Sequence, residues 1–277
     1  MEKFCDLHTH SNFSDGTYTP SELIDAAVDI GLASIALCDH NTVDGLPEFL
    51  DAAVGKNIEA IAGAEFSVNY KRKELHLLGL YIPENQFPKI EELMKDVNVK
   101  KEESNRKLIA ALNADGYDIS FEKIKQSTRK GNFNRAHIAI ELTELGYTKS
   151  KDHAFATLLS PEAGYYEEPD RLLFFDMVRY LKSIGAVPVL AHPFLNLSEE
   201  ELVELLPIAK AEGLVGMECY YPEYDEETTR KALMLAEKYD LKYSGGSDFH
   251  GDKKPDIMLG TGKGNLKIPN SWATALK

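Results

Sequence analysis

Long apolar runs are missing from this sequence of 277 residues. None reaches the roughly 18 to 20 residues needed to cross a bilayer, so a membrane-spanning role is not expected. The N-terminus lacks the charged start, extended apolar stretch and small-residue cleavage site of a secretory leader, which points to the cytoplasm. Cysteine is scarce: Cys5, Cys38 and Cys219 are odd in number and far apart. A disulfide framework is therefore not expected, and each thiol, at the end of an apolar run, reads as buried and reduced. Excess positive charge is also lacking, since 31 Lys and Arg stand against 45 Asp and Glu, a formal net charge of −14. That balance disfavours indiscriminate binding to duplex DNA or to an anionic membrane. It leaves an anionic substrate open, because bound divalent cations reverse the sign locally.

What is present is an alternation of short apolar runs and longer amphipathic stretches. Runs at Lys3–Leu7, Ser34–Leu37, Ala60–Gly63, Leu75–Ile82, Ala186–Ala191, Val215–Cys219 and Leu241–Ser244 predict seven strands. Between most of them lie helical patterns such as Ser21–Gly31 and Glu226–Tyr239. This rhythm predicts an α/β fold with a mainly parallel sheet. Thr19-Pro20-Ser21-Glu22 predicts a helix start with a capping box and proline in the first turn. Ser198-Glu199-Glu200-Glu201 predicts another, with acids against the positive helix end. From about Asn98 to Ser160 the pattern is helical without a convincing strand. That stretch holds 11 Lys and Arg against 8 Asp and Glu, so it is basic within an acidic chain. A helical insertion at 98–168, between halves 1–97 and 169–277, accounts for it.

The chemistry is read from where the strands end. His8-Thr9-His10 closes the first; residues two apart on an extended chain face one side, so both rings can reach one cation. Asp15, beside the turn-permitting Gly16, adds an oxygen donor nearby. Later strands run into Asp39-His40, Glu65, His192 and Asp248-Phe249-His250. In a parallel barrel such ends converge on one face, where sites are built. His76 lies within its strand and reads either as an inward ligand or as a satisfied core histidine. A mixed imidazole and carboxylate set without thiolate suits manganese, iron or zinc. So many donors imply two or three ions rather than one.

These motifs, Asp6-Leu7-His8-Thr9-His10-Ser11, Ser14-Asp15-Gly16, Asp39-His40-Asn41-Thr42, Gly63-Ala64-Glu65, Ala191-His192-Pro193 and Ser247-Asp248-Phe249-His250, resemble those of the PHP (polymerase and histidinol phosphatase) family. More narrowly, their order is similar to that of small stand-alone bacterial members. The resemblance implies a distorted seven-stranded (β/α)7 barrel, with the insertion acting as a substrate lid. It implies that His8, His10, Glu65 and Asp248 hold one ion, that Asp15, His40 and His250 hold a second, and that Glu65, His76 and His192 hold a third, with Glu65 bridging. It also implies that Arg135 and His137, in Phe133-Asn134-Arg135-Ala136-His137, bind substrate phosphate. A guanidinium and an imidazole at a helix start suit a second, non-reacting phosphate, although a solvated basic face has the same pattern. Arg129 and Lys130 read as solvated loop residues, and Arg171 and Arg179 as helix-surface charges. Asp6 and Asp39 read as carboxylates that orient ligand imidazoles through their free N–H. Phe13 and Tyr221 read as buried, with stacking on a base as the alternative.

The reaction implied is hydrolysis of a phosphate ester by a metal-activated hydroxide. The substrate would be a 3′,5′-nucleoside bisphosphate or a short 5′-phosphorylated RNA. Rival readings are a histidinol-phosphate phosphatase of the same family, an amidohydrolase, which ordinarily carries a bridging lysine, and a noncatalytic nucleic-acid-binding module.

Overall fold

The computed structural model describes residues 3–127 and 135–277. Two compact units emerge, Met1–Glu91 with Leu172–Lys277, and Glu92–Arg171.

The first unit holds nine strands among the described residues, in two sheets. Strands β1 (Cys5–Thr9), β2 (Ser34–Leu37) and β3 (Glu59–Ala62) form a parallel three-stranded sheet. Strands β4 (Ala64–Tyr70), β5 (Lys73–Leu80), β6 (Leu172–Leu173), β7 (Val187–Leu190), β8 (Gly216–Tyr220) and β9 (Lys242–Gly245) form a second sheet in the order β6-β4-β5-β7-β8-β9. Leu7, Ala36 and Ile61 from the first sheet and Leu78, Leu80 and Val189 from the second share one buried core. The capping boxes form as predicted, at Thr19 for helix α1 (Pro20–Asp29), which lies beside α2 (Leu46–Ala53), and at Ser198 for the helix Glu199–Glu212.

The seven-stranded parallel barrel expected from the sequence is not what the described residues build, for two physical reasons. First, β4 follows β3 after Gly63 alone and turns back through Lys71 and Arg72, both at positive φ (48° and 66°). That two-residue hairpin makes β5 antiparallel to β4, and β5 is antiparallel to β7 as well. Second, among the described residues the two sheets are joined by single parallel β-bridges, Thr9 with Phe249 and His40 with Glu65, rather than by a continuous ladder. Beside these bridges Asn41 (φ 51°) and Asp248 (φ 52°) take left-handed backbone conformations that cannot extend a ladder. No closed barrel results among the described residues.

The second unit contains the continuation of helix α3 (Phe87–Ala114), then α4 (Phe121–Ser127), α5 (Arg135–Glu144) and α6 (Lys151–Ala156), and no strand among the described residues. Leu108, Leu112, Ile119, Ile138, Leu142 and Leu159 form its own core. No helix of the described residues is long and apolar enough to cross a membrane.

Candidate metal centre

All nine ligand candidates lie in the first unit and meet in one cluster, in which His40 and His76 are half-buried and the other seven buried. His8 is the fourth residue of β1 and fully buried. Gly246, the residue after β9, makes this possible: a Cβ there would stand 2.2 Å from His8 Cβ. Nε2 of His8 and Nε2 of His10 lie 3.1 Å apart, so the two rings converge as the extended spacing predicts. Asp248 Oδ1 is 3.0 Å from His10 Nε2 and 3.7 Å from His8 Nε2. On the other side of His10, Asp15 Oδ1 lies 3.2 Å from His250 Nε2, and Asp15 Oδ2 lies 3.8 Å from His40 Nε2.

Glu65 is the hub. Its Oε2 lies 3.3 Å from His8 and His10 Nε2 and 3.0 Å from His40 Nδ1. Its Oε1 lies 2.7 Å from His76 Nδ1 and 3.0 Å from His192 Nε2. His76 therefore faces the cluster from β5 rather than the core. Three donor sets have atoms within 4.8 Å of one another: His10, Asp15, His40 and His250; His8, His10 and Glu65; and His40, Glu65 and His76. His10 and His40 thus each stand between two sets, where the resemblance had given each a single ion.

The donor chemistry fits divalent cations. Nδ1 of His10, His40, His76 and His192 is buried without a hydrogen bond, which is costly unless something else satisfies it. Charges are tightly coupled here. Burial works against the ionised forms of Asp15, Glu65 and Asp248, yet surrounding histidines, and for Asp248 first the Lys254 ammonium, hold all three well below the usual carboxylate range. Burial pulls the His40 ring down to about 3, whereas at His76 burial is outweighed by the Glu65 carboxylate and the value rises to about 10.

Backbone conformation at the ligand-bearing loops is unusual: His192 (φ 26°) and Asp248 (φ 52°) occupy regions that non-glycine residues rarely adopt. Buried groups fix both. Asp6 was expected to hold a ligand imidazole. Instead it accepts hydrogen bonds from Ser247 N–H (2.9 Å), Ser247 Oγ (2.5 Å), Gly260 N–H (2.8 Å) and His8 N–H (3.3 Å). Asp39 likewise takes Ser11 N–H (2.8 Å) and the hydroxyls of Ser11 (2.5 Å) and Ser14 (2.6 Å). Each carboxylate is short and faces a loop, so it pins backbone and hydroxyl donors and leaves the rings to another group. Burial raises the pKa of both despite these donors.

That other group is Glu218, which the strand-end reading passed over. It sits inside β8, fully buried, with Oε1 3.0 Å from His8 Nδ1 and Oε2 accepting the His192 N–H at 2.7 Å. Its one signal in the sequence is an acid inside the apolar run Val215-Gly216-Met217-Glu218-Cys219. Tyr221 is buried as expected and donates its hydroxyl to Asp248 Oδ2 at 2.9 Å. Lys254 bonds the same oxygen at 2.6 Å, and nothing in its local sequence marks it.

Arg135 and His137 lie in the second unit. Arg135 opens α5, and its guanidinium carbon sits 4.0 Å from the centre of the Tyr166 ring. His137 is buried. Arg171 is no helix-surface charge: it precedes β6, its side chain is 4% exposed, and it donates to Tyr166 Oη at 2.9 Å. Arg179 is exposed and pairs with Asp176 and Glu212. Arg129, Lys130, Phe133 and Asn134 fall outside the described residues.

Comparison with known proteins identifies the family. The PHP domain family model matches residues 6–182. A 3′,5′-nucleoside bisphosphate phosphatase of Chromobacterium violaceum is 31% identical over 88% of this chain and 86% of its own. A 5′-3′ exoribonuclease of Haemophilus influenzae is 29% identical over 90% of this chain and 91% of its own. A solved structure from Bifidobacterium adolescentis, assigned to the metal-dependent phosphoesterases, superposes with a TM-score of 0.84 at 26% identity, over 99% of this chain and 95% of its own. The chain belongs to the PHP domain family.

Proposed function

We propose that this protein is a metal-dependent phosphoesterase whose substrate is a 3′,5′-nucleoside bisphosphate or the 5′ end of a short phosphorylated RNA. One observation carries the reading: a single buried carboxylate, Glu65, lies within 3.3 Å of nitrogens from five histidines. A carboxylate so placed would bridge cations, the role that a lysine fills in the amidohydrolase alternative.

His8, His10, Glu65 and Asp248 would hold one ion, Asp15, His40 and His250 a second, and His76 and His192 with Glu65 a third. Manganese, iron and zinc all suit these donors. Such ions, when bound, lower the pKa of water, neutralise phosphate charge and stabilise the leaving oxygen. Glu218 keeps the proton of His8 on Nδ1, so Nε2 presents its lone pair to the cluster. Asp6 and Asp39 hold the loops carrying Asp248 and Asp15. With metal-activated water available, no serine or cysteine nucleophile is required. Burial raises the Cys38 thiol far above its usual range, which makes it inert.

Arg135 and His137 are assigned the non-reacting phosphate of the substrate, with the insertion as its lid. Support comes from the Arg135 guanidinium, whose carbon lies 4.0 Å from the centre of the Tyr166 ring, where an aromatic face suits a planar cation that recognises phosphate. The bisphosphate phosphatase and exoribonuclease relatives act on substrates that fit this division of labour.

The test is a parallel assay of adenosine 3′,5′-bisphosphate, 5′-phosphorylated RNA oligonucleotides and histidinol phosphate, each with added manganese. Release of phosphate or mononucleotide from either of the first two is expected. Turnover of histidinol phosphate alone would favour that rival, and RNA binding without cleavage in excess metal would favour a noncatalytic module.

A further inference from the structure

We propose that Lys254 is a substrate-contacting residue whose ammonium receives an oxygen of the phosphate held at the metal cluster. The inference rests on the phosphoesterase reading above and concerns a residue outside the nine metal-ligand candidates.

The position of Lys254 is fixed by a short rigid arm. His250 is followed by a single 3-10 turn, Gly251–Lys253. Gly251 has φ +65°, and a Cβ there would collide with Thr17 Oγ1, so only glycine lets the arm pass. Thr17 then ties the arm from both sides. Its N–H donates to His250 O at 3.1 Å, and its Oγ1 accepts the Asp252 N–H at 3.0 Å. Lys254 N–H closes the turn on Gly251 O at 3.1 Å. From there Nζ reaches Asp248 Oδ2 at 2.6 Å, while Oδ1 of the same carboxylate faces His10 at 3.0 Å and His250 at 3.5 Å. The ammonium is thus one carboxylate away from the cluster. Its side chain is 26% exposed against 9% for Asp248, so it also faces solvent.

Two further observations point to an anionic ligand. Among the described residues, the ammonium makes one hydrogen bond, to Asp248, and has three N–H groups to offer. The Tyr221 hydroxyl already donates to the same Asp248 oxygen, so Lys254 is not needed to satisfy it. Charge gives the second argument. Asp15, Glu65, Glu218 and Asp248 together carry about −4, and two or three divalent ions bring about +4 to +6. Two ions would leave that centre near neutral and three would leave it positive, so a fixed ammonium beside it gives the loaded site an excess of positive charge that an anion would offset. A phosphate ester supplies that charge and has oxygens to spare for a non-metal donor.

The test uses the manganese-loaded full chain and its Lys254→Met and Lys254→Arg variants. Inorganic phosphate is the binding probe, by calorimetry; adenosine 3′,5′-bisphosphate is the kinetic substrate; metal content is read by elemental analysis. For Lys254→Met the expectation is a Kd for phosphate about ten- to hundredfold weaker, in line with loss of one charge-assisted hydrogen bond. KM should rise in parallel, with metal content unchanged, and Lys254→Arg should recover part of the loss. Phosphate binding within twofold of wild type in Lys254→Met would overturn the inference. So would loss of metal matching the loss of phosphate binding, because Lys254 would then only support Asp248. If wild-type protein holds metal but neither binds phosphate nor cleaves a phosphate ester, the phosphoesterase reading itself falls.

Discussion

Glu218 holds His8 through Nδ1 at 3.0 Å and, with its other oxygen, the backbone N–H of His192 at 2.7 Å. One buried carboxylate thus orients the ring of a proposed metal ligand contributed by the first sheet. It also steadies a strained backbone position just past β7 of the second. The proposed metal centre would depend on this residue although it offers no donor to the cluster.

Glu218→Gln should show that dependence. An amide has one acceptor oxygen, so it can serve His8 or the His192 N–H but not both. Metal affinity is expected to fall about ten- to hundredfold, the usual cost of losing such a partner. Competition against a fluorescent chelator measures it, and retained circular dichroism would show that the fold survives.

Metal loading should release protons. In the metal-free protein the Glu65 carboxylate outweighs burial and lifts His76 from its ordinary 6.5 to about 10. A raised value means that the His76–Glu65 pair stabilises the metal-free fold fully below about pH 6.5 and that this is lost as pH rises through about 10. Binding a cation requires His76 neutral, so ion and proton compete. Manganese titrations at pH 7.5 in two buffers of different ionisation enthalpy should give different apparent heats. Equal heats would contradict the competition. Apparent affinity should increase with pH over the same window.

Arg135→Ala should raise KM for a 3′,5′-bisphosphate about ten- to hundredfold, the scale of one lost charge-assisted contact, while kcat for a simple phosphomonoester changes little. Arg135→Lys should not restore it, since an ammonium lacks the planar fork and stacks poorly on Tyr166. Equal effects on both substrates would remove Arg135 from the choice of substrate.

Gly246→Ala tests the packing that admits His8. The new methyl would meet His8 Cβ at 2.2 Å, and neither main chain can retreat without moving the end of β1 or β9. A stability loss of about 1–3 kcal/mol is expected, the usual range for overpacking, seen as a lower Tm with reduced metal content.

How much of this was legible in the sequence differs from element to element. Thr19 with Glu22 and Ser198 with Glu201 carry their cap chemistry locally, and both boxes form. Most residues of the candidate cluster could be found because strand ends announce themselves as apolar runs that stop at His, Asp or Glu. Strand β4 could not, because Ala64–Tyr70 follows β3 after a single glycine and turns at Lys71-Arg72, without the asparagine and glycine that mark such hairpins. The α/β expectation holds, and the all-parallel order is broken at that turn. Glu218 is hidden mid-strand, and Lys254 becomes visible only when the arm beyond His250 is folded against Thr17.

The single bridges at Thr9–Phe249 and His40–Glu65 have a mechanical consequence. Backbone pairing along these two seams is minimal, while the donor atoms crowded beside them come from chain segments on either side. A bound cation would therefore act as a rivet between the sheets, and stripping it should loosen the seams before the strands. Amide exchange at Asn41, bonded across one seam to Glu65 O, and at Asp248, bonded across the other to His8 O, should accelerate on chelation. Strands β7 and β8, paired well inside the second sheet, should keep their protection.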